Sequence, residues 1–498
     1  MVAHGCDLTP VFSVRPDSSC SSVPVRVLYV MIRLDRLSCL LFFPFIAFGA
    51  AGCLSEQSFP MREGDLAPRT VVHAPNTPPP TAREWLAQVS TQLQHLLPPG
   101  TTPPLVTDEL TRDGKPLDVM AHFGRNPRRL QQLFGNFSGI VHTAQCVGAG
   151  FNPGEGAPWP GFEEVWIPVR DDLSLCGWLA MAREGGRSEA PILDSNCIVL
   201  LPGLLGNHEI NRTRDLARAL LDNGHHVLSI ELRGHGKTDL RYPDIGYNFG
   251  VTEVQDLMIV SEWLEEHPHI RGTGLIGFCW GANTAMIAAW FDGRSSDDPN
   301  LSPRQRDILG APRPGRHFSA GVIAFSPTLR FEEILEILKS PRSMTQEPMY
   351  AGLQDMVRGR AKHKGYPNPS GDLRWLIDRE YERSILNYPD AVEEGLTFLR
   401  WMPFQDPRAH GDQASVKPAH DKSSSIRIPT LIVAAANDPL VGGQQLADYI
   451  AGVKNPNVAA LLTPGGGHVG FAAWNRQYYF NLILAFFDTR HGPGAQRP

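Results

Sequence analysis

The sequence predicts an α/β fold with a mostly parallel central sheet, helices on both faces and one helical insertion. Three observations support this prediction. From about residue 161, short strand-like segments alternate with helix-like segments. The strand-like segments are almost continuously apolar, which is typical of parallel strands covered on both faces. The alternation stops near residue 328 and resumes near residue 429, which indicates an insertion within one domain.

The first 53 residues have the pattern of an export leader. Arg33 and Arg36 precede the apolar run "LSCLLFFPFIAFGAAGC", which ends in small residues and Cys53. A basic segment, a short apolar run and small residues are typical of a secretory signal. Met31 would begin a leader of ordinary length, so residues 1–30 are expected to come from an upstream start site. The run is too short for a confident membrane span, which needs roughly 20 apolar residues.

The end of the leader resembles a bacterial lipobox. The resemblance implies that Cys53 becomes the lipidated N-terminus of an exported lipoprotein, held at the membrane surface through its acyl anchor. A plain signal peptide or anchor with an unmodified cysteine is the alternative. Residues 54–80 are polar and Pro-rich, which predicts an extended spacer.

Residues 81–160 are predicted to form a helical and loop-rich extension. Thr81 and Glu84 have the spacing of a capping box, and "TAREWLAQVSTQLQHLL" repeats apolar residues on one helical face. A helix is therefore expected to begin at Thr81 and to pack on the main domain. The rest of this extension indicates no function.

The first part of the core is predicted over residues 161–327. The stretch "FEEVWIPVRDDLSLCGWLAMA" predicts a hairpin that turns at Arg170, Asp171 and Asp172. The strands expected after it are "CIVLLPG", "HHVLSIEL", "TGLIGFC" and "SAGVIAFS". The helices expected between them are "TRDLARALLDNG", "TEVQDLMIVSEWLEEHP" and "WGANTAMIAAWF".

Residues 328–428 are predicted to be a helical lid, and residues 429–490 complete the core. The insertion contains helix-like patches such as "FEEILEILKS" and "RWLIDREYERSIL". Alternation then resumes with the strand "PTLIVAAANDP", the helix "GGQQLADYIAG", the strand "NVAALLTPGGGH" and the helix "NRQYYFNLILAFFDT".

Composition limits the classes of partner. Hydrophobic residues make up 42% and charged residues 20% of the 498 residues, which suffices for a large core. The net charge of −6 is spread without long runs of one sign, which argues against nucleic-acid binding. The sequence specifies no oligomeric state.

In an exported protein a disulfide among Cys146, Cys176 and Cys197 is possible.

One cysteine lies where the pattern G-x-S-x-G would place a serine. Gly277-Phe278-Cys279-Trp280-Gly281 connects a predicted strand to a predicted helix, which is the context that a nucleophile elbow requires. Gly277 and Gly281 would let strand and helix pack closely around a strained turn. The helix N-terminus favours negative charge at the sulfur. A buried structural cysteine is the alternative.

The remaining members of a triad follow in the order acid, then base. Asp438 ends the strand "LIVAAAND", at the sheet edge where α/β folds bind ligands. His468 follows the next strand in "GGGHVGF", where glycines permit a tight loop. We predict that Cys279, Asp438 and His468 converge as nucleophile, acid and base. A helix-capping role for Asp438 and a solvated loop position for His468 are the alternatives.

Stabilisation of an oxyanion requires two backbone N–H groups. Trp280, which follows the nucleophile, is predicted to supply one. The loop Pro202-Gly203-Leu204-Leu205-Gly206 is predicted to supply the other through Leu204, with Leu205 as the alternative. A plain glycine turn is the competing interpretation of this loop.

The segment "ELRGHGKTD" places Arg233, His235 and Asp239 on another loop over the sheet. His235 precedes the nucleophile, so a structural role is expected for it rather than that of the base. The spacing of histidines and cysteines predicts no metal site, and no phosphate-binding glycine loop with a lysine is present in the sequence. No cofactor is expected.

The order "LLPGLLGN", "ELRGHGKT", "GFCWGAN", "IVAAANDPLV", "GGGHVGF" resembles the α/β-hydrolase superfamily over about residues 160–490. Its ending is most similar to the YheT-like branch of esterases and acylglycerol-type hydrolases. That branch normally has a serine at the elbow and a histidine before the oxyanion glycine, where this sequence has Cys279 and Pro202. The cysteine elbow instead resembles dienelactone hydrolases and polyhydroxyalkanoate synthases. The resemblance implies an α/β-hydrolase fold with a lid before the acid-bearing strand.

These observations predict a carboxylesterase-like enzyme that acts on a small acyl ester or thioester through an acyl-enzyme. An acyltransferase or polyester-synthase-like enzyme with the same thiol is one alternative, and an inactive binding lipoprotein is another. Aromatic residues in the lid suit an apolar acyl chain, although they are also ordinary core residues. They are Phe331, Trp375, Tyr381, Trp401 and Phe404.

Overall fold

The structure is a computed structural model that describes residues 56–67, 80–123, 138–146, 150–247, 250, 252–299, 301, 303–313, 315–329, 347–380, 423, 424 and 426–488. The predictions for the leader, Cys53, most of the spacer and much of the lid lie outside these residues. They include four of the lid aromatics, Phe331, Tyr381, Trp401 and Phe404.

The strands are β1 (Leu105–Val106), β2 (Thr111–Arg112), β3 (Lys115–Pro116), β4 (Glu163–Arg170), β5 (Leu173–Ala180), β6 (Ser195–Leu201), β7 (His226–Glu231), β8 (Ile270–Phe278), β9 (Gly321–Phe325), β10 (Thr430–Ala435) and β11 (Val458–Thr463). The helices are α1 (Ala82–Leu93), α2 (Val119–Phe123), α3 (Asn211–Asp222), α4 (Gly236–Arg241), α5 (Glu253–Glu265), α6 (Trp280–Asp292), α7 (Pro303–Leu309), α8 (Glu347–His363), α9 (Leu373–Glu380), α10 (Gly443–Ala451), α11 (Phe471–Trp474) and α12 (Arg476–Phe486). Residues 138–146 are also helical.

In the part of the chain that the structure describes, nine strands form the central sheet, in the order β1-β11-β10-β9-β8-β6-β7-β5-β4. The pairs from β11 through β10, β9, β8 and β6 to β7 are all parallel. The predicted hairpin β4–β5 is antiparallel and joins the sheet by antiparallel pairing of β5 with β7. The prediction of a mostly parallel central sheet is therefore confirmed.

The sheet is buried on both faces because its strands are apolar on both. On one face, Val254, Ala285 and Leu446, from α5, α6 and α10, belong to one core. On the other, Leu216 of α3 and Ile483 of α12 belong to a second core. Burying each large apolar side chain contributes about 1.5–3 kcal/mol, so the two cores fix the sheet as a rigid platform for the loops at its edges.

The extension before the core is part of the same packed structure. Thr81 caps α1 in a capping box with Glu84, as predicted. Trp85 is fully buried and meets Phe486 of α12 edge-on, with ring centroids 5.2 Å apart. The short strand β1 adds to the sheet edge antiparallel to β11, a pairing that no local pattern in the sequence predicts.

The described part of the lid insertion is tied to the core by buried charges. Arg360 of α8 forms ion pairs with Asp239 of α4, at 2.5 Å, and with Glu380 of α9, at 3.1 Å. Lys364 also pairs with Asp239, at 2.7 Å. Asp239 therefore lies at the lid contact, in line with the predicted rim position of its loop. Among the described residues, no helix has the length and apolar character needed to cross a membrane.

Candidate active site

Cys279 lies in the turn between β8 and α6, as the elbow pattern predicts. Its backbone has φ 54° and ψ −118°, a left-handed conformation that is strained for a residue with a side chain. Its N–H donates to the carbonyl of Phe325, at 2.9 Å, which ties the turn to the end of β9. The side chain is half-buried, whereas the other described cysteines are buried. The strain therefore holds the sulfur at an accessible edge of the sheet.

The flanking glycines allow this turn to exist. A Cβ on Gly277 would collide with the backbone of Gly281, and a Cβ on Gly281 would collide with the carbonyl oxygen of Pro202. The first contact lets β8 and α6 approach each other. The second brings the loop after β6 against the elbow. Both glycines thus have the packing role expected from the motif.

Asp438 and His468 meet in the folded chain. His468 Nδ1 lies 3.0 Å from Asp438 Oδ2, and both side chains are buried. The other carboxylate oxygen, Oδ1, accepts hydrogen bonds from the N–H groups of Leu440 at 2.8 Å and Val441 at 2.9 Å. These bonds fix the carboxylate so that Oδ2 is directed at the imidazole. Asp438 therefore caps the turn that follows it and contacts His468 at the same time, through different carboxylate oxygens.

The charges of this pair stabilise each other. Burial alone would lower the pKa of His468, but the charges of Asp438 and Cys279 and hydrogen bonding to both raise it to about 10. Burial alone would raise the pKa of Asp438, but the charge and hydrogen bond of His468 and the two backbone N–H groups lower it. The arrangement favours an imidazolium beside a carboxylate.

The third member of the predicted triad is next to the imidazole. His468 Nε2 is buried and makes no hydrogen bond of standard geometry among the described residues. The Cys279 side chain nevertheless contributes to the raised pKa of His468 both as a charge and as a hydrogen-bonding group. Cys279 therefore acts on the imidazole without a hydrogen bond of standard geometry in this conformation. Such contacts commonly tighten only when substrate binds.

The loop after β6 lies against the nucleophile. A Cβ on Gly203 would be 3.1 Å from the Cβ of Cys279. The N–H of Gly206 donates to the carbonyl of Gly203 at 2.9 Å, and Leu205 within this turn has φ 58°. Leu204 is half-buried in the same turn, and no backbone carbonyl of the described residues accepts from its N–H. The loop that carries Leu204 therefore lies next to Cys279, and Trp280 follows Cys279 at the start of α6; their roles in an oxyanion hole remain predictions.

The segment "ELRGHGKTD" supports this loop. His235 is buried, and its Nδ1 lies 2.8 Å from the carbonyl oxygen of Arg233. It also hydrogen-bonds the backbone of Gly203. Burial lowers the pKa of His235 to about 4, so its imidazole is neutral near pH 7. These contacts agree with the structural role expected for His235.

The loop that carries His468 is held by a helix of the extension, which the sequence did not indicate. The N–H of His468 donates to Thr143 Oγ1 at 2.8 Å, and the Thr143 hydroxyl donates to the carbonyl of Gly139 at 2.7 Å. A Cβ on Gly467 would collide with Gly139 and Thr143. Asn437 Oδ1 accepts from the N–H of Gly467 at 2.9 Å. In the sequence, this contact is indicated only by the small residues at positions 139 and 143, which lie four positions apart on one helical face.

A second group of sulfur, imidazole and carboxylate lies behind the loop after β6. It consists of Cys176, His208 and Glu231, whose ligand atoms all lie within 4.8 Å of one another. Sequence spacing does not reveal it because the three residues come from separate elements. Cys146, Cys176 and Cys197 are all free thiols, so no disulfide forms among them.

Comparison with known proteins assigns the family. Residues 198–478, more than half of the chain, match the model of the alpha/beta hydrolase family. The chain therefore belongs to this family, and the expectation of an enzyme with the α/β-hydrolase fold is confirmed. A comparison with curated proteins returned no match.

Several solved structures are similar to this chain. Esterase Pf2001 from Pyrococcus furiosus has 18% identity and a TM-score of 0.40, over 69% of this chain and 98% of that one. Est1E from Butyrivibrio proteoclasticus, with ferulic acid bound, has 14% identity and a TM-score of 0.36, over 64% and 97%. A highly thermostable carboxyl esterase from Bacillus coagulans has 14% identity and a TM-score of 0.39, over 66% and 98%.

Proposed function

We propose that this hydrolase cleaves carboxylic esters or thioesters with Cys279 as nucleophile, His468 as acid and base, and Asp438 as the group that orients the imidazole. The observation that supports the proposal is the buried His468–Asp438 pair, whose imidazole pKa is raised by Asp438 and also by Cys279, a half-buried residue on a strained turn. A buried carboxylate–imidazole pair with shifted pKa values at the ligand-binding edge of the sheet is typical of catalytic sites.

The first half of the proposed reaction forms a thioester. The Cys279 thiolate attacks the carbonyl carbon, and the negative charge that develops on the carbonyl oxygen is stabilised by the N–H groups of Trp280 and Leu204. The bond from carbon to the leaving oxygen or sulfur then breaks. The His468 imidazolium donates its Nε2 proton to that atom, so a neutral alcohol or thiol departs.

The second half regenerates the enzyme. The neutral imidazole of His468 takes a proton from water while the water oxygen bonds to the acyl carbon. The bond between this carbon and Cys279 sulfur breaks, which releases the acid and restores the thiolate–imidazolium pair. Asp438 keeps Nδ1 protonated throughout, so Nε2 remains the atom that exchanges protons.

The full-length protein assayed on a series of p-nitrophenyl esters and acyl thioesters tests this proposal. We expect hydrolysis that is lost in Cys279→Ala, with the circular dichroism spectrum unchanged. Retained turnover in Cys279→Ala would overturn the assignment of the nucleophile. Retained activity in Cys279→Ser would support descent from a serine esterase and the finer resemblance to the YheT-like branch.

Product analysis distinguishes hydrolysis from acyl transfer. The same thioester intermediate reacts with an alcohol if the alcohol displaces water, so we supply alcohols of increasing size with one acyl donor. We expect free acid as the main product. A new ester that replaces the acid would assign the enzyme to the acyltransferase class instead.

We also propose that the chain is exported and attached to a membrane surface by lipid on Cys53. The basic, apolar and small-residue pattern before Cys53 supports this proposal. Expression in a bacterial host with a labelled fatty acid tests it. We expect label in the membrane fraction for the wild type and none for Cys53→Ala. Equal labelling of the two would contradict lipid attachment at this residue.

A further inference from the structure

The second sulfur–imidazole–carboxylate group has the composition of a metal site. Cys176 on β5 and Glu231 at the end of β7 are direct cross-strand partners. Because residues directly opposite on antiparallel strands point to the same face, their side chains lie side by side. His208 reaches them from the loop after β6. The side chains of His208 and Glu231 are 1% and 0% exposed, and Cys176 is fully buried.

The imidazole of His208 is held in a fixed orientation. Its Nδ1 lies 3.0 Å from Ser229 Oγ. The ring stacks on Trp178 with centroids 4.2 Å apart and planes 20° apart. A hydrogen bond from Nδ1 to a neighbouring oxygen is the usual way in which a protein fixes a histidine that binds metal through Nε2.

The other ring nitrogen is buried without a hydrogen bond. Among the described residues no group pairs with His208 Nε2, which lies 3.6 Å from Glu231 Oε2. In the tautomer whose Nδ1 donates to Ser229 Oγ, the lone pair of Nε2 faces a carboxylate oxygen. Two such acceptors repel each other in a dry interior unless a proton or a cation lies between them.

We propose that Cys176, His208 and Glu231 bind a divalent metal ion of the zinc class. Zinc binds thiolate at about 2.3 Å and imidazole or carboxylate at about 2.0–2.2 Å. Tetrahedral angles then place neighbouring ligand atoms roughly 3.3–3.6 Å apart. The separation of 3.6 Å between His208 Nε2 and Glu231 Oε2 is close to this span. The three ligand atoms lie within 4.8 Å of one another, so tetrahedral zinc requires the sulfur to approach by up to about 1 Å.

The donor set favours zinc over magnesium or calcium, because thiolate and imidazole suit softer ions whereas the latter two prefer oxygen ligands. Metal binding displaces the thiol proton of Cys176 to solvent, and no oxidant or reductant is needed. The thiolate and the carboxylate together neutralise the two positive charges. The nearby ammonium of Lys237 is paired with Glu164 at 2.5 Å, and the backbone N–H of Lys237 donates to Glu231 Oε2 at 2.5 Å, so Oε2 would bind the ion through its remaining lone pair.

A metal at this position would connect three segments. The N–H of His208 already donates to Glu231 Oε1 at 3.2 Å. His208 lies four residues after Leu204, so the ion would fasten the proposed oxyanion loop to β5 and β7. The role is structural, and the proposal stands independently of the proposed function, because none of the three ligands belongs to the Cys279 site.

The metal content of the full-length protein tests the proposal. The wild type is purified without chelator from zinc-supplemented medium. We expect it to contain about one zinc per chain by inductively coupled plasma mass spectrometry. Cys197→Ala is the matched control, because Cys197 is an equally buried free thiol on β6 outside the group. We expect Cys197→Ala to keep the zinc and Cys176→Ala to lose it.

Cobalt substitution adds a readout at the sulfur itself. We expect wild type and Cys197→Ala to show the absorption of a thiolate-to-cobalt charge transfer, and Cys176→Ala to lack it. Zinc retained equally by Cys176→Ala and His208→Gln would overturn the proposal, since the ion would then be bound elsewhere.

The wild type also supplies a test that needs no variant. Ligands that bind only the folded state raise the melting temperature. We expect dialysis against a chelator to lower Tm and added zinc to restore it. If the variants fail to fold, this reversal still decides the matter. Zinc far below one equivalent, with no response of Tm to added zinc, would overturn the proposal.

Discussion

The Cys279 and Cys176 sites contain the same three kinds of group and differ in how the backbone presents them. Cys279 is half-buried on a turn with φ 54°, whereas Cys176 is buried within β5. His468 Nδ1 lies 3.0 Å from its carboxylate, whereas it is Nε2 of His208 that faces Glu231, at 3.6 Å. The two proposals therefore rest on one physical difference: the sulfur on the strained turn is accessible to a substrate, whereas the sulfur within the strand is enclosed with its neighbours.

The pKa values of the two imidazoles are shifted in opposite directions. The pKa of His468 is raised to about 10 despite burial, because charged partners stabilise the imidazolium. Burial lowers the pKa of His208 well below its ordinary value, and Lys237 adds to this effect. The first imidazole is therefore prepared to hold and donate a proton. The second is kept neutral, which is the form that binds metals.

Removing the sulfur of Cys279 is expected to have the largest effect. We expect Cys279→Ala to lower kcat for p-nitrophenyl esters by about 10⁴-fold or more, because no other group there can form the acyl intermediate. We expect Cys197→Ala to leave kcat unchanged. Steady-state kinetics with both variants measure the difference. If Cys279→Ala and Cys197→Ala were equally active, Cys279 would not be the nucleophile.

Neutralising Asp438, the group proposed to orient the imidazole, is expected to have the next largest effect. Asp438→Asn keeps the size of the side chain but removes the charge that stabilises His468. We expect kcat to fall by about 10²–10⁴-fold, because the amide also favours the wrong imidazole tautomer. Asp372→Asn, a half-buried position at the start of the lid helix α9, serves as a control for carboxylate loss. An unchanged kcat in Asp438→Asn would mean that His468 does not need its partner.

The backbone N–H groups of the two histidines donate to different kinds of acceptor. The N–H of His468 donates to Thr143, outside its own site, whereas the N–H of His208 donates to Glu231, within its site. We expect Thr143→Val to lower kcat about fivefold with little change in KM, since one buried hydrogen bond contributes about 1 kcal/mol. Thr143→Ser retains the hydroxyl and should restore kcat. Equal loss in both variants would indicate a packing effect instead.

The smallest expected effect is on stability at alkaline pH. A pKa raised from 6.5 to about 10 means that the folded state favours protonated His468. This stabilisation is complete below pH 6.5 and is lost as pH rises to about 10. We expect the free energy of unfolding of the wild type to decline across this range, and His468→Gln to decline less. Denaturant titrations at several pH values, with the exposed His95→Gln as control, measure it.

The parts of this molecule that the sequence predicted are those set by local pattern. Cys279, Asp438 and His468 each follow an apolar strand, and parallel strands bring such positions to one edge. Thr143 could not be predicted, because its contact with His468 spans 325 positions and depends on how the extension packs. His208 could not be assigned either. Its neighbours in the fold come from β5 and β7, and only the register of these strands places them together.

Trapping the acyl-enzyme tests directly whether Cys279 is the nucleophile. Full-length protein is mixed with a p-nitrophenyl ester, quenched in acid within the first turnover, digested and mapped by mass spectrometry. We predict the acyl mass on the peptide that contains Cys279, and on none that contains Cys146, Cys176 or Cys197. An acyl group carried by any other residue, or none on Cys279 while hydrolysis proceeds, would contradict the account.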